Sequence, residues 1–380
     1  MSKRTIAPLI RKYSSSRAHM DCPVRIFPLR RPKNHVPPMP RWLAQFPDNL
    51  DKVFTAYIGV QQHPGAQAEL PQCHAAIELW LSQNRNTAPA SVERFRVLDG
   101  NDAPKSLVFA CYWNDEIKYQ EGIRRLNLSR LHRELDPSDQ PAVGLWCERF
   151  ISHIPRLETN YTGTDYLPGL AQLPGTSTKD HSCTAYWGAA RDRIPDSAFD
   201  LFDRDGGSIA AAFPDPVPSS VGKHLTGTNF QNMVHIRSGQ FWDNCDEDEK
   251  RSYEENLEPT LREGLSYLWQ NPTTSGSMAL RYLQNVPNSS PQWSGQSNES
   301  CVTGFFTSLA DLESWAKHHP SHLAIYTGAI RHAKTFGEKR KFRTWHEVSV
   351  LKRGDAHFEY VNCLPETGMI KSVSLKEVSD

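Results

Sequence analysis

The chain carries no excess charge of either sign: 43 Lys and Arg balance 43 Asp and Glu. Phosphate binding needs a concentrated basic surface, so nucleic acid is not an expected partner. No apolar run approaches the roughly 20 residues that span a bilayer, so no membrane span is expected. The cysteines are Cys22, Cys73, Cys111, Cys147, Cys183, Cys245, Cys301 and Cys363, with no CxxC pair and no CxxCH. That argues against a disulfide framework, a zinc knuckle and covalently attached c-type haem. Scattered thiols suit a reducing compartment, and the cytoplasm is the expected one. A GxGxxG loop is missing too, and with it the usual nicotinamide signature.

What is present begins with a basic, Ser-rich segment, "MSKRTIAPLIRKYSSSRAHM", whose first carboxylate comes only at Asp21. A disordered tail is the expected form, and mitochondrial targeting is the alternative. Prolines at 23, 28, 32, 37, 38 and 40 extend this lead-in. The fold is expected to begin near Pro40, leaving residues 1–39 as tail.

Alternating and helical periodicities then follow one another. Strands are expected at 52–61, 106–115, 183–192, 229–240, 300–309, 343–352 and 357–363. Helices are expected at 73–83, 116–135, 243–271 (broken near Pro259) and 310–319. Residues 144–162 read as strand and loop. The strand "LVFACYW" leads into Asp115 and Tyr119, and "VTGFFTSL" leads into Asp311 and Trp315. Each Asp suits a helix N-cap. This echo suggests two diverged halves, 40–175 and 176–380, of one α+β plan.

Single motifs decide little. "WAKHHPSHLAIY" holds His318, His319 and His322, but Pro320 interrupts the i, i+4 pair that would share a helix face. Ser238 and Gly239 read as a strand-to-helix turn. His346 sits in an alternating strand, and Arg191 and Arg193 would share a face of another. Glu158 is by default a solvated carboxylate.

Four longer segments are more specific. "AYWGAARDRIPDS", "IRSGQFWDNCDEDEKRSYEENLEPTLREGL", "LESWAKHHPSHLAIY" and "WHEVSVLKRGDAHFEYVNCLPETGM" run in order. Together they resemble the haem-containing aldoxime dehydratases, the phenylacetaldoxime dehydratase family, from about residue 40 to about 370. The resemblance implies an α+β fold of two ferredoxin-like halves forming a barrel, with non-covalent haem b in the C-terminal half. It implies His322 as the axial ligand of the iron, and His346, Ser238, Arg193 and Glu158 as catalytic residues. The implied reaction is dehydration of an aldoxime substrate, R–CH=N–OH, to a nitrile and water, with its nitrogen on ferrous iron and His346 as general acid and base. A homodimer is compatible with it. The alternatives are another haem enzyme on a similar barrel, of peroxidase or chlorite dismutase type, and a non-catalytic haem carrier or sensor.

Overall fold

The computed structural model describes residues 25–65, 71–204, 209, 213–287 and 297–378. The basic segment with a targeting-like composition lies outside them.

In chain order the elements are β1 (Trp42–Gln45), β2 (Lys52–Gln62), α1 (Pro71–Ser82), β3 (Ser91–Gly100), β4 (Leu107–Trp113), α2 (Glu116–Arg125), α3 (Leu128–Arg133) and β5 (Val143–His153). There follow β6 (Leu157–Tyr161), β7 (Ser177–Asp180), α4 (Ala189–Arg193), β8 (His224–Thr228), β9 (Met233–Phe241), α5 (Glu247–Ser252), α6 (Glu258–Gln270) and α7 (Pro272–Ser275). Last come β10 (Ser277–Val286), β11 (Glu299–Phe306), α8 (Leu309–His318), α9 (Pro320–Phe336), β12 (Arg343–Leu351), β13 (Ala356–Val361) and β14 (Lys376–Glu377).

The strands form one antiparallel sheet in the order β14-β8-β13-β5-β2-β4-β3-β10-β11-β9-β12-β6-β1-β7. Reading outward from the β3–β10 pair, each strand on one side is matched by one seven places away in the chain. The sheet also curls: Ser152 on β5 and Ser349 on β12 bond through their hydroxyls at 2.7 Å.

The concave face of the sheet holds charge. Arg281 meets Glu148 through two bonds of 2.8 Å and Asp102 at 2.9 Å, and it lies over the Trp146 ring. Arg237 meets Glu93 at 2.6 Å and lies over Trp345. Each tryptophan is admitted by a glycine on the neighbouring strand. A Cβ at Gly59 would stand 1.9 Å from Trp146, and one at Gly239 2.3 Å from Trp345. Ser238 and Gly239 are therefore inside β9 and not in the turn expected from sequence. The glycine serves close packing within the strand.

Local signals explain the other departures. The expected helix 116–135 is two helices, because Asn127 caps α3 by accepting from the Arg130 amide at 2.8 Å. Asp115 caps α2 as expected, but Ser308 caps α8 and Asp311 bonds back to it at 2.7 Å. Ahead of Pro259, which lacks an amide hydrogen, residues Tyr253–Leu257 widen into a π turn. Residues 183–192 are a turn and a short helix, not a strand. Gly188, at φ +95°, opens α4.

Residues 25–39, expected to be tail, lie along the α4 region. The Arg30 and Arg31 amides each donate to the Asp192 carboxylate at 3.0 Å, and the Ile26 amide donates to Ala198. Backbone bonds of this kind place the ordered chain upstream of Pro40. No helix among the described residues is long and apolar enough to cross a membrane.

Candidate active site

Strands β6, β9 and β12 lie side by side, and alternate residues reach their outer, helix-covered face. Ser238 and His346 are opposite one another in register, and Glu158 is opposite Val348. All four line one cavity of about 370 Å³. Its far wall is helical: Leu257, Leu261, Leu265 and Leu268 come from the π turn and α6, Trp315 from α8, and His322 and Ile325 from α9.

Arg193 joins this group from α4. Its Nε donates to Glu158 Oε2 at 2.8 Å, and a terminal nitrogen donates to Cys183 O at 2.6 Å. The other terminal nitrogen lies 3.2 Å from Glu158 Oε1 and 2.8 Å from His346 Nε2. The same Nε2 is 3.1 Å from Glu158 Oε1. Arg191, two residues earlier, turns instead to Glu313 at 2.9 Å. The shared strand face expected for the two arginines does not exist, because the segment is helical.

Burial alone would raise the Glu158 carboxyl, but Arg193 and His346 beside it bring it down to about 2. It is therefore a buried, paired anion. One nitrogen of His346 faces both a donor and an acceptor. With a proton on Nε2 it donates to Glu158; without one it accepts from Arg193. Either state of Nε2 has a partner.

The three neighbouring histidines separate. His318 is exposed at the end of α8. His319 caps α9, accepting from the Ser321 amide, and stacks on Tyr267 with ring centroids 3.5 Å apart. Pro320 occupies the first turn of α9, where its missing amide costs nothing. His322 alone of the three lines the cavity. Its Nδ1 is buried without a hydrogen-bond partner. Burial lowers the imidazole to about 4, with the Ala316 backbone only partly offsetting it. A neutral imidazole with an unpartnered nitrogen, facing an apolar slot, fits the single axial ligand of a haem. The leucines opposite fit the macrocycle.

Sequence reasoning missed several lining residues. Trp315 stands edge-on to His322 at 4.7 Å, and Trp187 packs on Tyr326 at 5.4 Å. The helical spacing His322, Tyr326, Ile330 marks one face of α9, a signal that was available in the sequence.

A family model described as haem-containing dehydratase matches residues 56–369. Phenylacetaldoxime dehydratase of Bacillus sp. (strain OxB-1) is 29% identical over 92% of this chain and 96% of its own length. Aliphatic aldoxime dehydratase of Rhodococcus globerulus is 29% identical over 93% and 96%. The crystal structure of an aldoxime dehydratase superimposes with a TM-score of 0.78 at 28% identity, covering 92% of this chain and 96% of that one. A second, crystallised with butyraldoxime, gives 0.77 at 27% identity, covering 92% and 94%. With the family model spanning most of the fold, this chain belongs to the haem-containing dehydratases.

Proposed function

We propose that this protein dehydrates aldoximes, R–CH=N–OH, to nitriles, R–C≡N, and water, with haem b held by His322. The observation that carries the reading is the placement of Ser238, His346 and Glu158 around the cavity that His322 also faces. Held by His322, ferrous haem would supply an electron-rich Lewis-acidic centre for the oxime nitrogen.

The residues supply protons and orientation. Hydroxide is a poor leaving group and must depart as water. Glu158 accepts from Nε2 of His346 and fixes the orientation of the ring. His346 then delivers a proton from Nδ1 to the departing oxygen, and the same nitrogen takes up the carbon-bound proton. Ser238, directly across the strand pair, holds the oxime oxygen. Arg193 positions Glu158 and His346 and meets Nε2 whenever that nitrogen is bare. The leucine wall excludes water, which would compete for the hydrogen bonds.

The reading includes two ferredoxin-like halves, 40–175 and 176–380, that close a barrel with the haem in the second. The matched strand order about the β3–β10 pair supports it. A cytoplasmic enzyme is the corresponding setting.

The test is anaerobic turnover of aryl and alkyl aldoximes by the reduced, haem-loaded protein, with nitrile measured directly. Nitrile formation that stops on oxidation of the iron and returns on reduction is expected. Absence of nitrile from both substrate classes sinks the reading.

A further inference from the structure

Outside the inner cavity lies a second one of about 290 Å³, lined by Arg41, Arg193, Arg340, Trp187, Tyr326 and His346 among others. The two share Tyr326, Ala329, Thr344 and His346 as walls. Arg193 is paired with Glu158. Arg41 and Arg340 differ: among the described residues, no carboxylate makes a salt bridge with either.

Arg41 donates to the Pro40 carbonyl at 2.9 Å, and the charges acting on it are the cations Arg340 and Arg193. Arg340 reaches His332 Nδ1 at 3.4 Å and the Phe342 ring. Glu249 lies in that direction, but its oxygens accept from the amides of Lys341 and Phe342 at 2.9–3.1 Å. Arg343 is paired with Asp165. Burial lowers Arg41 to about 10, helped by Arg340 and Arg193, and burial lowers Arg340 to about 10 as well, against the pull of Glu249. Both stay charged at neutral pH. Two partly buried like charges with no directly paired carboxylate are unfavourable unless an anion joins them.

Helix α9 runs from His322 in the inner cavity to Ala329 and Ile330 beside the outer one. A group held at His322 would border the outer cavity across the walls that the two share. Haem b carries two carboxylates on one edge. We propose that Arg41 and Arg340 are a carboxylate clamp for the two haem propionates, one guanidinium each or both shared. The proposal rests on the haem reading above. It also gives residues 38–41 a function, since Pro38, Met39 and Arg41 form part of this wall. A carboxylate on the substrate is the other source of the same chemistry.

The experiment follows haem loss from the full-length protein to excess apomyoglobin, for wild type, Arg41→Gln, Arg340→Gln and the double variant. The same proteins are also loaded with haem dimethyl ester, whose carboxylates are blocked. Haem loss is expected to accelerate about tenfold or more in the double variant, with the single variants between. The ester should leave wild type and double variant at the same fast rate. Unchanged haem loss overturns the clamp. Equal acceleration of haem and ester also overturns it, because that is general loosening of the site. Normal haem retention with a raised KM only for carboxylate-bearing aldoximes assigns the arginines to substrate and overturns it too. A wild-type chain that takes up no haem defeats this inference and the functional reading together.

Discussion

Two helical layers cover the same sheet and do opposite things. Helices α1–α3 press on β2, β4 and β5, and the space between is filled by Phe54, Ile58, Phe109, Trp113, Tyr119 and Leu128. Helices α6, α8 and α9 cover β9–β12 and leave a cavity. The backbone register is shared. Gly59 faces Trp146 in one layer as Gly239 faces Trp345 in the other. One step along each pair, the first layer has Ile58 opposite Cys147, and the second has Ser238 opposite His346. Three residues after each helix cap, counting from Asn127 and His319, stand Arg130 and His322. Arg130 is exposed and pairs with Glu134. The same strand register thus closes on packed side chains under one helical layer and on a cavity under the other, and the difference lies in few side chains.

The largest expected effect comes from making the second layer resemble the first. Ser238→Ile with His346→Cys should retain haem, because His322 is untouched. Nitrile formation should fall by about 10²–10⁴-fold, the range for losing general acid–base help. Steady-state kinetics with a haem count checks this. Near-normal kcat would return the Ser238–His346 pair to a packing role.

The concave face offers the next contrast, since both halves bury charge there. Arg281→Met leaves Glu148 and Asp102 without their cation and should cost about 3–5 kcal/mol in denaturant unfolding. A loss below about 1 kcal/mol would mean that the tyrosine and serine neighbours suffice for these carboxylates.

A smaller effect separates the two glutamates on adjacent strands. Arg193 and His346 hold Glu158 at about 2, whereas burial lifts Glu347 to about 7 against the pull of Arg237 and the Leu170 amide. The folded chain keeps the Glu347 proton to about pH 7, while the unfolded chain releases it near 4.5. Stability therefore falls as pH rises through that window, by at most about 1.4 kcal/mol per pH unit. Glu347→Gln keeps an acceptor for the Leu170 amide and should remove this fall. Its advantage over wild type should grow from pH 4.5 to 7; a constant difference would contradict the assignment.

Much of the layering was legible in sequence. The β2, β4, β11 and β12 runs are apolar enough to declare themselves, and the break at Pro320 was readable from its missing amide. The echo at Asp115 and Asp311 suggested two diverged halves, although only Asp115 is a cap. The Arg191–Arg193 stretch misled because three residues of polar alternation mimic a strand, while Gly188 sets the backbone for a turn into helix. The pairings Arg281–Glu148 and Arg193–Glu158 join residues 133 and 35 positions apart. No local spacing encodes such contacts. Among the three histidines, spacing left the choice open and the family resemblance made it.

The contrast between the layers is tested most directly at their two matched helix starts. Haem content and the Soret spectrum are measured for His322→Ala and Arg130→Ala, with far-UV circular dichroism as the check on folding. His322→Ala should lose stoichiometric haem and stay folded; Arg130→Ala should keep all of it. Full haem in His322→Ala with an unchanged spectrum, and its loss instead in His318→Ala or His319→Ala, would contradict the assignment.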